Sequence, residues 1–239
     1  MKDGKFTGYY PSGKVEYVKR YEDDKPMGKW KFVREDGTTK KIEVYETGKK
    51  NDEWITYEKN GDVYYQFWDK DSLVSEYADL HYSNGQLIEK ISYKKGLKDG
   101  KFTGYYPSGK VEYVKRYEED KPMGKWKFVR EDGTTKKIEV YETGKKNDEW
   151  ITYEKNGDVY YQFWEMDSLV SEYADLHYPN GQLIEKISYK NGQKNGKFTG
   201  YYENGQKNHI RTYKDDKLEG KFADYTAVSY THLTLPTKA

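Results

Sequence analysis

Gly4-Lys5-Phe6-Thr7-Gly8-Tyr9-Tyr10-Pro11-Ser12-Gly13 is the stretch whose reading decides the fold. Its closing glycine recurs at 37, 61, 85, 109, 133, 157, 181 and 205, each 24 residues after the last. Ser, Asp or Asn precedes every one of these glycines, so each period carries a dipeptide that tolerates φ > 0 in a tight hairpin. Pro11, Pro107 and Pro179 stand two residues before the glycine, where φ near −65° suits a type I turn followed by a glycine bulge. That chemistry favours a three-residue loop. A two-residue loop would flip the face of every side chain that follows, so register stays open at this level.

A second break follows each tip, at Asp23-Asp24, Thr47-Gly48, Asp71-Ser72, Lys95-Gly96 and their later equivalents, ending at Asp215-Asp216. Two breaks per period mean two strands per repeat. Between them lie strand formers such as Lys14-Val15-Glu16-Tyr17-Val18 and Lys41-Ile42-Glu43-Val44-Tyr45. The expected fold is all-β: an elongated antiparallel β-meander of about nine 24-residue hairpin repeats, solenoid-like, in a single twisted sheet on the order of 85 Å long at one strand per ~4.8 Å. Asp71 to Leu80 is the irregular stretch, since Leu73, Tyr77 and Leu80 have helical spacing. The 24-residue phase runs through it unbroken, which favours strand over a short helix.

A longer period encloses the short one. Residues 2–97 and 98–193 are the same block twice, differing only at Asp23/Glu119, Asp69/Glu165, Lys70/Met166, Ser83/Pro179, Lys95/Asn191 and Leu97/Gln193. A partial third block occupies 194–226, so the repeat array is expected to run from 4 to 226. Ser229 stands where the next tip glycine is due, and residues 227–239 look like translated adapter sequence outside the fold. Met1 aligns with Leu97, inside a repeat, so a natural protein longer at both ends is expected.

Composition narrows the function classes. The 239 residues hold 42 Lys+Arg against 41 Asp+Glu, a net charge of +1, which implies no direct nucleic-acid partner. Leu, Ile, Val and Phe number only 40, too few for a thick aliphatic core, while 27 Tyr and 6 Trp supply amphipathic rings. Without any Cys there is no disulfide, thiolate site or cysteine nucleophile. Neither a secretory leader nor a membrane-spanning apolar run is present, and a cytoplasmic location is the expectation.

The motif Gly-Lys-[Phe/Trp]-x-x-[Tyr/Val]-x-x-[Ser/Asp]-Gly, read at Gly4 to Gly13, Gly28 to Gly37 and Gly196 to Gly205, resembles the MORN-type repeat family, and most of all its bacterial variant of YwqK-type antitoxins. The resemblance covers Gly4 to about Tyr225 and departs where Asp52, Glu76, Asp148 and Glu172 replace the opening glycine. It implies a β-meander scaffold, with some bacterial members acting as immunity partners of toxin enzymes and some eukaryotic members as scaffolds or lipid-surface binders. It brings no catalytic residue.

No catalytic, cofactor or metal site emerges from the residues. His81, His177, His209 and His232 lack zinc spacing, Gly4-Lys5-Phe6-Thr7-Gly8 lacks the phosphate-loop spacing, and Glu22-Asp23-Asp24 and Asp69-Lys70-Asp71 read as turn charge rather than calcium loops. The informative string is Val63-Tyr64-Tyr65-Gln66-Phe67-Trp68, repeated at 159–164. In a strand, Tyr64 and Trp68 face one way and Tyr65 and Phe67 the other, so both faces are aromatic. Either the sheet packs these rings or it presents them to a partner, and Tyr64, Tyr65, Phe67, Trp68, Tyr160, Tyr161, Phe163 and Trp164 are the candidate partner-binding residues. Trp30, Trp54, Trp126 and Trp150 share a column with Phe6, Phe102, Phe198 and Phe222, which reads as the packing stripe. The expected function is a non-enzymatic protein-binding repeat protein, an antitoxin or immunity protein that inhibits a toxin or effector enzyme by direct binding. The alternative is a MORN-type structural scaffold or membrane-surface adaptor.

Overall fold

The computed structural model describes residues 1–220 and 222–227; the adapter-like segment, with His232, lies outside the described residues apart from Ala227. The fold is all-β, an antiparallel sheet with 26 strand segments among the described residues, in which successive strands pair. Contacts group the chain into two units, Met1–Thr135 with Tyr141–Lys145, and Lys136–Val140 with Lys146–Ala239. No helix among the described residues is long and apolar enough to cross a membrane.

In the first unit, Gly4–Tyr9 pairs with Val15–Glu22 around the first tip. Tyr10 N–H donates to Lys14 O at 2.8 Å and Gly13 N–H to Tyr10 O at 2.9 Å, with Gly13 at φ 81°. Those two bonds define the three-residue loop, and the step from Gly8↔Tyr17 to Tyr9↔Val15 leaves Glu16 as a bulge. The Asp/Asn column has a local job: the Asp36 carboxylate accepts the Thr38 N–H at 2.8 Å, and Asn60 and Asn84 accept likewise two residues on. Hydrogen bonds from Thr38 hold the Asp36 carboxyl below its usual range.

At the second break the chain reverses through two residues with φ > 0, such as Asp23 at 47° and Asp24 at 61°, which is type I′ geometry. The turn acids are used there. Asp24, Asp71 and Asp120 accept the backbone N–H of Lys2, Lys50 and Lys98 through their carboxylates. After the turn, Gly28 (φ 62°) bends the strand before Gly28–Val33, and Asp52 (φ 59°) takes the same left-handed conformation in place of the missing glycine. At Glu76 the bend disappears. Ser72–His81 is one continuous ten-residue strand, so the irregular stretch is strand.

The third hairpin differs from its neighbours. Thr56↔Tyr64 and Tyr57↔Val63 pair without a bulge, and the following turn sits at Lys70-Asp71 (φ 47° and 72°). This corrects the sequence placement of that break at Asp71-Ser72 by one residue. The physical reason is the column occupied by Tyr21, Tyr45 and Tyr93, which in this repeat holds Asp69. A bulge at Tyr64 would set Asp69 among rings. Without it, Trp68 takes the place instead, and its ring lies 5.7 Å from Trp54.

The core is one column of the repeat. Trp30, Trp54, Ala78 and Phe102 in the first unit, and Trp150, Ala174 and Phe198 in the second, are buried members of the column that starts at Phe6, as is Trp126 in the first. Tyrosines interleave with them, giving ring centroids 5.4 Å apart for Phe6–Tyr21, 5.0 Å for Tyr21–Trp30, 4.6 Å for Trp30–Tyr45 and 5.2 Å for Tyr45–Trp54. The packing stripe read from the sequence is this ladder, save that Phe6 and Phe222 of that stripe are exposed. Lysines of the chain cover it: Lys19 lies 5.0 Å from the Trp30 ring, and Lys50 lies 4.7 Å from Trp54 and 4.1 Å from Trp68. Trp30 and Trp54 donate their indole N–H to the carbonyls of Arg20 and Val44 at 2.9 Å, tying each ring to the neighbouring strand.

Candidate functional site

The ladder is interrupted at Ala78, where the column offers a methyl group instead of a ring. Register places the neighbours. Tyr64 pairs with Ala78 and Gln66 with Glu76 across one strand boundary, while Ala78 pairs with Ile91 and Glu76 with Tyr93 across the next. Six side chains on three strands therefore share one face, and alternation sends Tyr65, Phe67 and Tyr77 to the other. Between Tyr64 and Tyr93 the missing ring leaves a cleft of about 310 Å³, lined mainly by apolar surface, with Gln66 and Glu76 as its polar groups. Tyr64 is 41% exposed and Ala78 is 3% exposed, so the cleft has an open rim and a buried floor.

The eight residues singled out in the sequence divide by face. Tyr64 forms the cleft wall. Tyr65 stacks on Tyr77 at 4.2 Å on the opposite face, and Phe67 lies 5.8 Å from the same ring. The strand at Tyr65 and Tyr77 borders the cleft as well. The Tyr77 hydroxyl donates to Glu53 Oε1 at 2.9 Å, and burial, followed by that hydrogen bond, pushes its pKa up. Trp68 packs in the ladder under Lys50, and its indole N–H is buried with no acceptor among the described residues. In the second unit, Tyr161 stacks on Tyr173 at 4.2 Å, Phe163 lies 5.9 Å from Tyr173, and Trp164 lies 5.8 Å from Trp150. Tyr160, 41% exposed, pairs with the buried Ala174, which is the equivalent of Ala78.

Gln66, Glu76, Ala78, Ile91 and Tyr93 were not singled out in the sequence. A signal was present. Reading the core column as Phe6, Trp30, Trp54, Ala78, Phe102 exposes the one small residue among large rings. Two of the described histidines make contacts within the fold: His209 lies over Gly200 as Tyr17 lies over Gly8, with its Nε2 3.0 Å from Glu185, and the His81 backbone N–H donates to Asp62 at 2.6 Å.

A sheet of hairpin repeats with a ring ladder and an open notch fits the class of repeat-based binding proteins. Five segments, residues 2–23, 80–95, 98–119, 176–191 and 194–215, match the family model described as MORN repeat variant. No curated protein matches the sequence. Among solved structures, similarity is found to a chain of TcdB2-TccC3-TEV (12% identity, 92% of this chain and 15% of that one, TM-score 0.27). A second is to BamB from Moraxella catarrhalis (10% identity, 90% and 89%, TM-score 0.16). The chain thus spans 15% of the first of these, and at such scores neither likeness bears on function.

Proposed function

We propose that the chain is a non-enzymatic binding protein that inhibits a toxin or effector enzyme by direct contact, as an immunity protein does. The observation that carries this reading is the notch at Ala78, an apolar cleft with an exposed tyrosine wall in a ladder several of whose other rings lie under the chain's own lysines. Aromatic walls around a small desolvated pocket are the usual anchor of a protein interface. The MORN-type repeats supply a rigid sheet for it, and the resemblance of the repeat motif to bacterial antitoxins supplies the class of partner.

The test is co-expression with the protein encoded beside this chain's own gene. Restored growth together with a purified complex supports inhibition by binding, and Tyr64→Ala combined with Tyr160→Ala should then weaken the complex. Growth arrest that persists, with no complex, defeats the proposal, as does turnover of a substrate by the purified chain. Salt-sensitive flotation with anionic vesicles would favour the membrane-adaptor reading instead.

A further inference from the structure

We infer that the notch at Ala78 receives a cationic side chain, lysine or arginine, of a protein partner. The inference rests on the binding reading above and names the chemistry of the contact. Its basis is the company that rings keep within the fold. Several rings of the ladder carry an ammonium group over them: Lys2 lies 5.0 Å from Tyr21, Lys19 5.0 Å from Trp30, Lys41 5.1 Å from Trp54 and Lys50 4.1 Å from Trp68. Beyond the notch Lys98 lies 5.1 Å from Tyr117. These lysines come from a few repeat positions. At the notch, the equivalents of Lys2 and Lys19 are Val74 and Ile91, so neither column supplies a cation here, as neither does in the second repeat, with Pro26 and Glu43.

The same repeat brings in a carboxylate. Glu76, like Glu172 in the second block, stands where the other repeats open with glycine or aspartate, and its strand is unbroken, so its side chain stays on the face of Tyr64 and Tyr93. Its hydrogen-bond contact among the described residues is Gln66 Nε2, at 3.4 Å to Oε2, and no lysine or arginine of the described chain forms an ion pair with it. A half-buried carboxylate beside two tyrosine rings, above a methyl-lined floor, has the composition of a cation cage. The rings attract the charge through their faces, the methyl groups cover the aliphatic stem, and the carboxylate neutralises the head group. A neutral apolar anchor would leave Glu76 desolvated without a counter-charge, which is the costly arrangement. The second block repeats the residues as Tyr160, Gln162, Glu172, Ala174, Ile187 and Tyr189.

The probe is n-butylammonium chloride, titrated into the full chain while the methyl signals of Ala78, Ala174, Ile91 and Ile187 are followed by NMR, with n-butanol as the neutral control. Butylammonium should shift all four signals saturably and butanol should not. Glu76→Gln should weaken binding at Ala78 about fivefold, the equivalent of roughly 1 kcal/mol for a partly exposed cation and its counter-charge. The Ala174 site should be unchanged in that variant, which shows that the variant is folded. Equal response to butanol, or identical affinity in Glu76→Gln, overturns the inference. The two readings fail separately. A toxin complex whose affinity ignores Glu76→Gln with Glu172→Gln removes the cation contact alone, whereas cation binding without a toxin complex removes the immunity reading alone.

Discussion

The ring of Tyr113 lies against Gly104 on the paired strand, so close that a Cβ at residue 104 would fall 2.3 Å from Cε1. The glycine is there because the ring covers it, and the cover brings the Tyr113 hydroxyl to Glu89 Oε1 at 2.7 Å, one repeat back. Gly104 has no left-handed φ, so the obstacle to alanine is steric alone. Gly104→Ala should therefore cost about 1–3 kcal/mol in urea unfolding, the usual range for overpacking. Adding Tyr113→Ala should make the Gly104→Ala step nearly neutral. If the two costs simply add, the contact is not the cause.

Trp54 and Trp68 have neighbouring places in the ladder, but only Trp54 has an acceptor for its indole N–H, the Val44 carbonyl at 2.9 Å. Replacing each by Phe removes similar area. Trp54→Phe removes one hydrogen bond from the Val44 carbonyl, which keeps the Asn51 N–H as its other donor, whereas Trp68→Phe removes a donor that is already unsatisfied. Denaturation midpoints should show Trp54→Phe the costlier by about 1 kcal/mol. A larger cost for Trp68→Phe would contradict the assignment.

Thr47 is a β-branched residue at φ 48°, in the first central position of a type I′ turn whose second is Gly48. Asn191 takes the same place before Gly192 at φ 52°. Thr47→Asn should raise stability by up to about 1 kcal/mol, because Asn tolerates the left-handed region that Thr resists. Thermal unfolding of the single variant is sufficient to check it, and a lower midpoint would count against the turn assignment.

Burial, reinforced by Glu53, raises the pKa of the Tyr77 hydroxyl above the ordinary tyrosine value of 10.0. A raised folded-state pKa favours the protonated group in the fold, so its contribution is complete below pH 10 and is lost as pH climbs past the unfolded value toward the folded one. Stability should fall above about pH 10, and Tyr77→Phe with Tyr173→Phe should fall less steeply. Tyrosinate absorbance of the wild type should show these hydroxyls ionising after the exposed ones. Early ionisation of Tyr77 would refute the Glu53 bond.

The amino-acid sequence alone determined the 24-residue period, the all-β class, the turn positions in most repeats and the column that forms the core. Each of these is local chemistry: Asp-Gly and Asn-Gly tips, paired residues with φ > 0, and a ring at a fixed place in every strand. Tertiary structure decided which face each side chain of the third hairpin occupies. One residue of slip inverts a strand, and the slip is set by competition between Asp69 and Trp68 for a place among rings contributed by other strands. The notch followed from the same interplay. Ala78 is legible as a small residue in a column of rings, but Tyr64, Glu76 and Tyr93 converge on it only because three strands pair in this register.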